Sequence, residues 1–245
     1  MFLAFSKRGY YLPEIAWLHI LIKKKGALSM EFEYLSQLFR SCLGADYREV
    51  ENGGSFAVVR DGDLLYLFFE KSNGGEDWKN NLSYRAADCE CEGKFFCHEG
   101  FLRVWKSILP YIERLILSPS VRRIISVGYS HGAALALLCH SYVYSARSDI
   151  RRECEGYGFG CPRVIWGRIS DAAQRFENFF RVSVAGDIVT GLPPKIFGYR
   201  HVGEAITVGR SGKYSRVDAH RPEIYLLELE SAANDLTKGQ KSTII

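Results

Sequence analysis

Gly128-Tyr129-Ser130-His131-Gly132 sets a serine between two glycines, a spacing suited to nucleophilic attack on an acyl carbon. A serine hydroxyl is a weak nucleophile until a base takes its proton, and that base needs an acid to orient it. Where such a serine sits between a strand and a helix, the partners follow in the order serine, acid, histidine. Asp187 meets the first requirement, and only His201 and His220 come after it. His201 precedes the apolar run Ala205 to Val208, whereas His220 follows it in a loop able to return toward the serine. His220 is therefore the expected base, and His201 a hydrogen-bonded structural residue. His131 is expected to offer its backbone N–H to a developing oxyanion, with its side chain directed away.

The same five residues can also form a glycine-rich turn around an inert serine. The elements around them decide more. Arg123 to Val127 is a short β-branched run, and His131 to Ala146 an apolar helix in which Leu135, Leu138 and Tyr142 are expected to face a sheet. Strand, turn and helix are thus contiguous, as a serine elbow demands. Upstream, Met30 to Leu43 has the 3.6-residue period of an amphipathic helix, and Ser55 to Val59 with Leu64 to Phe69 flank Asp61-Gly62 as a hairpin. Gly100 to Leu117 reads as a helix kinked at Pro110. Downstream, Gly156 to Phe159, Phe179 to Val184 and Ala205 to Val208 read as strands, and Ser170 to Glu177 as a helix. The alternation predicts an α/β fold with a mostly parallel central sheet and helices on both faces. The polar stretch from 72 to 92 reads as a flap or lid, and everything after Ser231 as a frayed tail.

With 245 residues, 47% of them hydrophobic and 24% charged, the chain suits one domain with a large core. The net charge of +4 is modest, and no basic and aromatic residues interleave in a nucleic-acid-binding pattern. The Lys23 to Lys25 run reads as a solvated loop. Residues 1–22 resemble a signal peptide only superficially, because Lys7 and Arg8 follow a short apolar run and Pro13, Glu14 and His19 break the next. Neither piece reaches the ~18 apolar residues of a membrane span, so an internal protein, or one exported by another route, is expected. Seven cysteines leave at least one unpaired within the chain. Cys89, Cys91, Cys97 and His98 have no common zinc spacing, and no metal or organic cofactor is expected.

From about Phe69 to His220 the motifs resemble, in order, those of the class 3 (fungal-type) lipase family. Phe69-Glu70-Lys71-Ser72 falls where that family has its oxyanion strand end, and Asp77-Trp78-Lys79-Asn80-Asn81-Leu82 resembles its Asp-Trp lid motif. His98-Glu99-Gly100-Phe101 is similar to its His-x-Gly-Phe, and Phe159-Gly160-Cys161-Pro162-Arg163-Val164 to its Phe-Gly-x-Pro-Arg-Val. Asp187-Ile188-Val189 with Leu192-Pro193-Pro194 resembles its acid segment, and His201-Val202-Gly203 the segment of its structural histidine. Tyr129, His131 and Ala133 depart from the usual His-Ser-Leu-Gly-Gly, and Lys71 replaces the oxyanion-segment glycine.

The resemblance implies an α/β-hydrolase fold and a carboxylic-ester hydrolase with Ser130, Asp187 and His220 as its triad. It places Ser72 with His131 at the oxyanion and makes Trp78 and Leu82 candidates for lid and acyl-pocket contacts. Acylglycerols are the first substrate expected, with transient contact at a lipid interface. A phospholipase or feruloyl-type esterase comes second. A non-catalytic lipase-like binding module comes third, opposed by the three filled triad positions.

Overall fold

The computed structural model describes residues 28–50, 54–70, 84–89 and 95–237. The chain opens with helix α1 (Leu28–Gly44), strands β1 (Arg48–Val50), β2 (Gly54–Asp61), β3 (Leu64–Phe69), β4 (Ala86–Asp88) and β5 (Phe96–His98), and helix α2 (Glu99–Ile116). It continues through β6 (Arg123–Tyr129), α3 (His131–Ala146), β7 (Cys154–Phe159), β8 (Ile165–Trp166) and the single turn α4 (Ala172–Arg175). Strands β9 (Phe179–Val184), β10 (Tyr199–Arg200) and β11 (Glu204–Val208) and helix α5 (Pro222–Thr237) complete it.

The main sheet has seven strands in the order β1-β2-β3-β6-β7-β9-β11. The first three are antiparallel, joined at the β2–β3 turn by Gly62, whose φ of 61° a side chain would resist. From β3 to β11 every pair is parallel, so each connection must cross over the sheet. Strand alternation divides the core. Ile124 packs with α2 and α3 on one face, while Ile125, Val127 and Tyr129 pack with α1 and α5 on the other.

α3 is buried from His131 through Val143 because α2 covers its outer side with Phe101, Val104, Trp105, Ile108 and Ile112. Small residues meet the sheet: Ala133 lies against Gly158, and the Ala136 carbonyl accepts from Ser126 Oγ at 3.1 Å. Tyr142, expected against the sheet, turns instead to α2, where its hydroxyl donates to Glu113 at 2.6 Å and its ring meets Trp105. A close-packed helix–sheet contact has no room for a phenol, and the phenol needs a polar partner. Pro110 lies on the exposed side of α2, which continues to Ile116.

Between Ser170 and Glu177 only α4 forms, its Arg175 paired with Asp171 at 2.8 Å and bonded to Ser145 Oγ at 2.7 Å. α5 carries the chain as helix through Thr237, well into the stretch from Ser231 read as a tail; residues 238–245 lie outside the described residues. It starts with Pro222 in the first turn, where a missing N–H costs nothing, and packs Tyr225 and Leu229 into the core beside Phe39 of α1.

A second sheet, β10-β8-β5-β4, is antiparallel throughout. A disulfide joins Cys89, just after β4, to Cys97 of β5, so neither sulfur is available as a metal ligand. Of the flap expected over 72–92, residues 84–89 are described and contain β4; the remainder, with Ser72, Trp78, Leu82 and Cys91, lies outside the described residues. Among the described residues no helix is long and apolar enough to cross a membrane.

Candidate active site

β6 ends at Tyr129 and α3 begins at His131, leaving Ser130 to make the whole turn. It does so at φ 58°, ψ −119°, the one non-glycine residue of positive φ among those described. Such a conformation costs on the order of 1–3 kcal/mol and persists only where the surroundings impose it. Both glycines are required. A Cβ on Gly128 would lie 2.0 Å from the Gly132 carbonyl oxygen, and one on Gly132 would lie 2.1 Å from that of Phe69. The second contact brings the end of β3 against the elbow. Ser130 N–H donates to Phe159 O at 2.8 Å, fixing the turn to β7, and Ser130 O accepts Ala133 N–H at 3.0 Å. Its hydroxyl caps nothing on α3 and lies 2.8 Å from His220 Nε2.

Asp187 follows β9 through Ala185 and Gly186, at the carboxyl edge where open parallel sheets hold their sites. Its side chain is fully buried and takes three donors. Oδ1 accepts Val189 N–H at 2.8 Å, while Oδ2 accepts His220 Nδ1 at 2.8 Å and the Tyr225 hydroxyl at 2.5 Å. A carboxylate can only accept, so Nδ1 carries the imidazole proton and Nε2 presents its lone pair to the Ser130 hydroxyl. Ser130, His220 and Asp187 thus form one directed relay.

Two further contacts hold the imidazole. Gly160, at φ 60°, leaves space where a Cβ would stand 2.9 Å from His220 Cε1. Tyr129 stacks on the ring, with centroids 5.1 Å apart, and its hydroxyl donates to the His220 carbonyl. Tyr225 was not foreseen. The available signal was a tyrosine five residues past His220, just inside a helix opened by Pro222.

His201 stands apart from this relay. Its Nε2 bonds the Thr190 carbonyl at 2.8 Å, and burial with the Arg181 charge pushes its pKa down to about 4. It borders a cavity of about 370 Å³ behind Asp187, with Arg163 and Arg181. Arg163 Nη1 donates to the carbonyls of Gly191 and Pro193, and Arg181 Nε to that of Val202 at 2.8 Å, tying down the loop after Asp187. The His131 ring meets the Phe101 ring at 5.4 Å, directed into the α2–α3 packing. His98 caps α2, its Nδ1 accepting Gly100 N–H at 3.1 Å, and burial lowers its pKa to about 4.

Residues 66–197, more than half of the chain, match the family described as Lipase (class 3). A secreted mono- and diacylglycerol lipase from Fusarium solani is 28% identical over 131 residues, 51% of this chain and 38% of the relative. A lipase from Rhizomucor miehei is 27% identical over 158 residues, 60% of this chain and 43% of the relative. The chain therefore spans about two fifths of the length of these curated relatives. The solved Rhizomucor miehei triacylglyceride lipase superposes with a TM-score of 0.58 at 20% identity, covering 81% of each chain, a likeness of fold. With the family match covering Phe69, the serine elbow and the Asp187 loop, this chain belongs to the class 3 lipase family on an α/β-hydrolase fold.

Proposed function

We propose that the protein hydrolyses carboxylic esters of acylglycerols, with Ser130 as nucleophile, His220 as general base and then acid, and Asp187 as the group that orients the imidazole. The observation that carries this reading is the relay of two 2.8 Å contacts through His220 to a serine held at positive φ. As Ser130 Oγ attacks the ester carbonyl, its proton passes to Nε2, and the buried Asp187 carboxylate stabilises the imidazolium. The proton then goes to the departing alcohol, and water releases the acid by the same steps. The oxyanion is assigned to the N–H of His131, at the start of α3, and to the N–H and hydroxyl of Ser72. A donor of this kind is worth roughly 3 kcal/mol in the transition state, and the dipole of α3 adds to it.

The acylglycerol class is supported by family membership and by the Fusarium relative, named as a mono- and diacylglycerol lipase. A substrate of this kind also brings the protein to a lipid interface. The Cys89–Cys97 disulfide, with the secreted relative, favours an oxidising compartment, and so the exported rather than the internal of the two locations expected from sequence. Alkylation of the native protein without reductant should leave these two thiols unlabelled.

The deciding experiment is hydrolysis of p-nitrophenyl esters from butyrate to palmitate, followed by mono- and diacylglycerols. Activity should vanish in Ser130→Ala. A Ser130→Ala protein as active as the parent would end the ester-hydrolase reading.

A further inference from the structure

Tyr129 touches the proposed base in two independent ways. It is the last residue of β6, and strand alternation sends its ring to the α1 and α5 face of the sheet. There the rings of Phe39 and Tyr225 meet it edge-on, at 5.3 and 5.8 Å. Its face lies over the His220 imidazole, 5.1 Å between centroids and 25° from parallel. Its hydroxyl meanwhile donates to the main-chain carbonyl of the same residue.

That carbonyl takes its donor from a side chain of another element. His220 closes a 3-10 turn, Asp218–His220, just before α5. Of the N–H groups that follow, those of Ile224 and Tyr225 both go to Arg221 O, and Pro222 has none to give. One side chain therefore ties the His220 backbone to the strand that leads into Ser130 and stacks on the ring that must accept the Ser130 proton.

We infer that Tyr129 is a positioning residue for His220: its hydroxyl fixes where the imidazole stands, and its ring face favours the imidazolium formed when Ser130 attacks. The inference rests on the ester-hydrolase reading above for its kinetic meaning, but the contact exists whatever the substrate. A cation over an aromatic face is attracted by the negative π-cloud, more strongly where water is excluded. The ionisable groups around His220 are Asp187 beyond the ring, Tyr225 and Glu223 on α5, and Asp218 and Arg221 of its own turn, with Arg163, Arg181 and Arg216 across the cavity behind Asp187. Burial, together with Asp187 and Glu223, holds the Tyr129 phenol far above its ordinary range, so it stays an O–H donor at any working pH.

Two substitutions separate the two roles. Tyr129→Phe keeps the ring and removes the hydroxyl; Tyr129→Leu removes both. With p-nitrophenyl butyrate and rates counted per fluorophosphonate-labelled Ser130, Tyr129→Phe should lower kcat about tenfold, the rate equivalent of one net hydrogen bond, with KM and the pH profile unmoved. Tyr129→Leu should also move the acid limb of kcat/KM to lower pH by about half a unit, because the face that favours the imidazolium is gone. The same pair in a Ser130→Ala background, read by NMR titration of the His220 ring, should show the half-unit drop for Leu and none for Phe.

Unchanged kcat per labelled site in Tyr129→Phe overturns the anchor, and that variant is conservative enough to fold if the leucine one fails. An unmoved His220 titration in the leucine protein, or an equal drop in both, overturns the ring-face role. A wild-type protein that hydrolyses no ester would defeat the functional reading alone, since the NMR titration needs no turnover.

Discussion

Adding one methyl group at Gly160 tests whether the imidazole is held as tightly as the contacts around it require. At φ 60°, the change to alanine costs about 1–2 kcal/mol in backbone strain alone. The new Cβ would stand 2.9 Å from His220 Cε1, 3.1 Å from Nδ1 and 3.1 Å from the Tyr225 hydroxyl. Ordinary contact begins at 3.4 Å, so the nearest ring atom must retreat by about 0.5 Å. The ring is stacked on Tyr129 and bonded at 2.8 Å to both Ser130 and Asp187, so a retreat lengthens at least one of those bonds. Misplacement by 1 Å costs on the order of 100-fold in rate, and half that distance on the order of tenfold. Gly160→Ala should therefore lower kcat by roughly 10- to 100-fold and stability by roughly 1–3 kcal/mol. Stopped-flow or steady-state hydrolysis of p-nitrophenyl butyrate, normalised to labelled Ser130, gives the first quantity, and thermal unfolding the second. A Gly160→Ala protein with the parent's kcat per labelled serine would show that the imidazole has slack, and the geometry of the relay would lose its meaning.

Asp187→Asn presents an amide that can donate as well as accept, disturbing the tautomer that leaves Nε2 free; kcat should fall by about 10⁴ with the fold kept, as circular dichroism would show. A loss under tenfold would remove Asp187 from the orienting role. Acid should weaken the fold through His98, His140 and His201, all held neutral by burial with pKa pushed down to about 4. Unfolded histidine titrates near 6.5, so between about 6.5 and 4 the unfolded chain binds more protons, and stability falls as pH is lowered through that window. Melting temperature should drop between pH 7 and pH 5, less steeply in His140→Gln; equal melting points at the two pH values would contradict it.

Short-range chemistry was readable from residue order. The β6–turn–α3 unit, the Asp61-Gly62 hairpin and the β9 strand all lie where period and turn residues put them, because each depends on neighbours a few residues away. α5 escaped because Leu226, Leu227 and Glu230 blur its periodicity, while its register is set by Phe39 and Glu230's partner Arg40 on α1, some 190 residues upstream. Tyr142 turned outward for a similar reason, since only the packed structure shows that Gly158 and Ser126 leave room for alanine and none for a phenol.

Sequence alone singled out Ser130, Asp187 and His220 and the order they must follow, because an elbow serine needs a β-strand before it and its acid and base after it. It also separated His220 from His201 by their places on either side of β11. What only the tertiary structure decided is how the three meet. Residues 90 and 33 positions apart come within 2.8 Å because parallel strands align their carboxyl ends. The contacts that hold them there, Tyr129 over the ring, Tyr225 on the carboxylate and the close approach at Gly160, are not fixed by residue order. Each is a contact across elements, whose energy depends on direction and distance rather than on residue type.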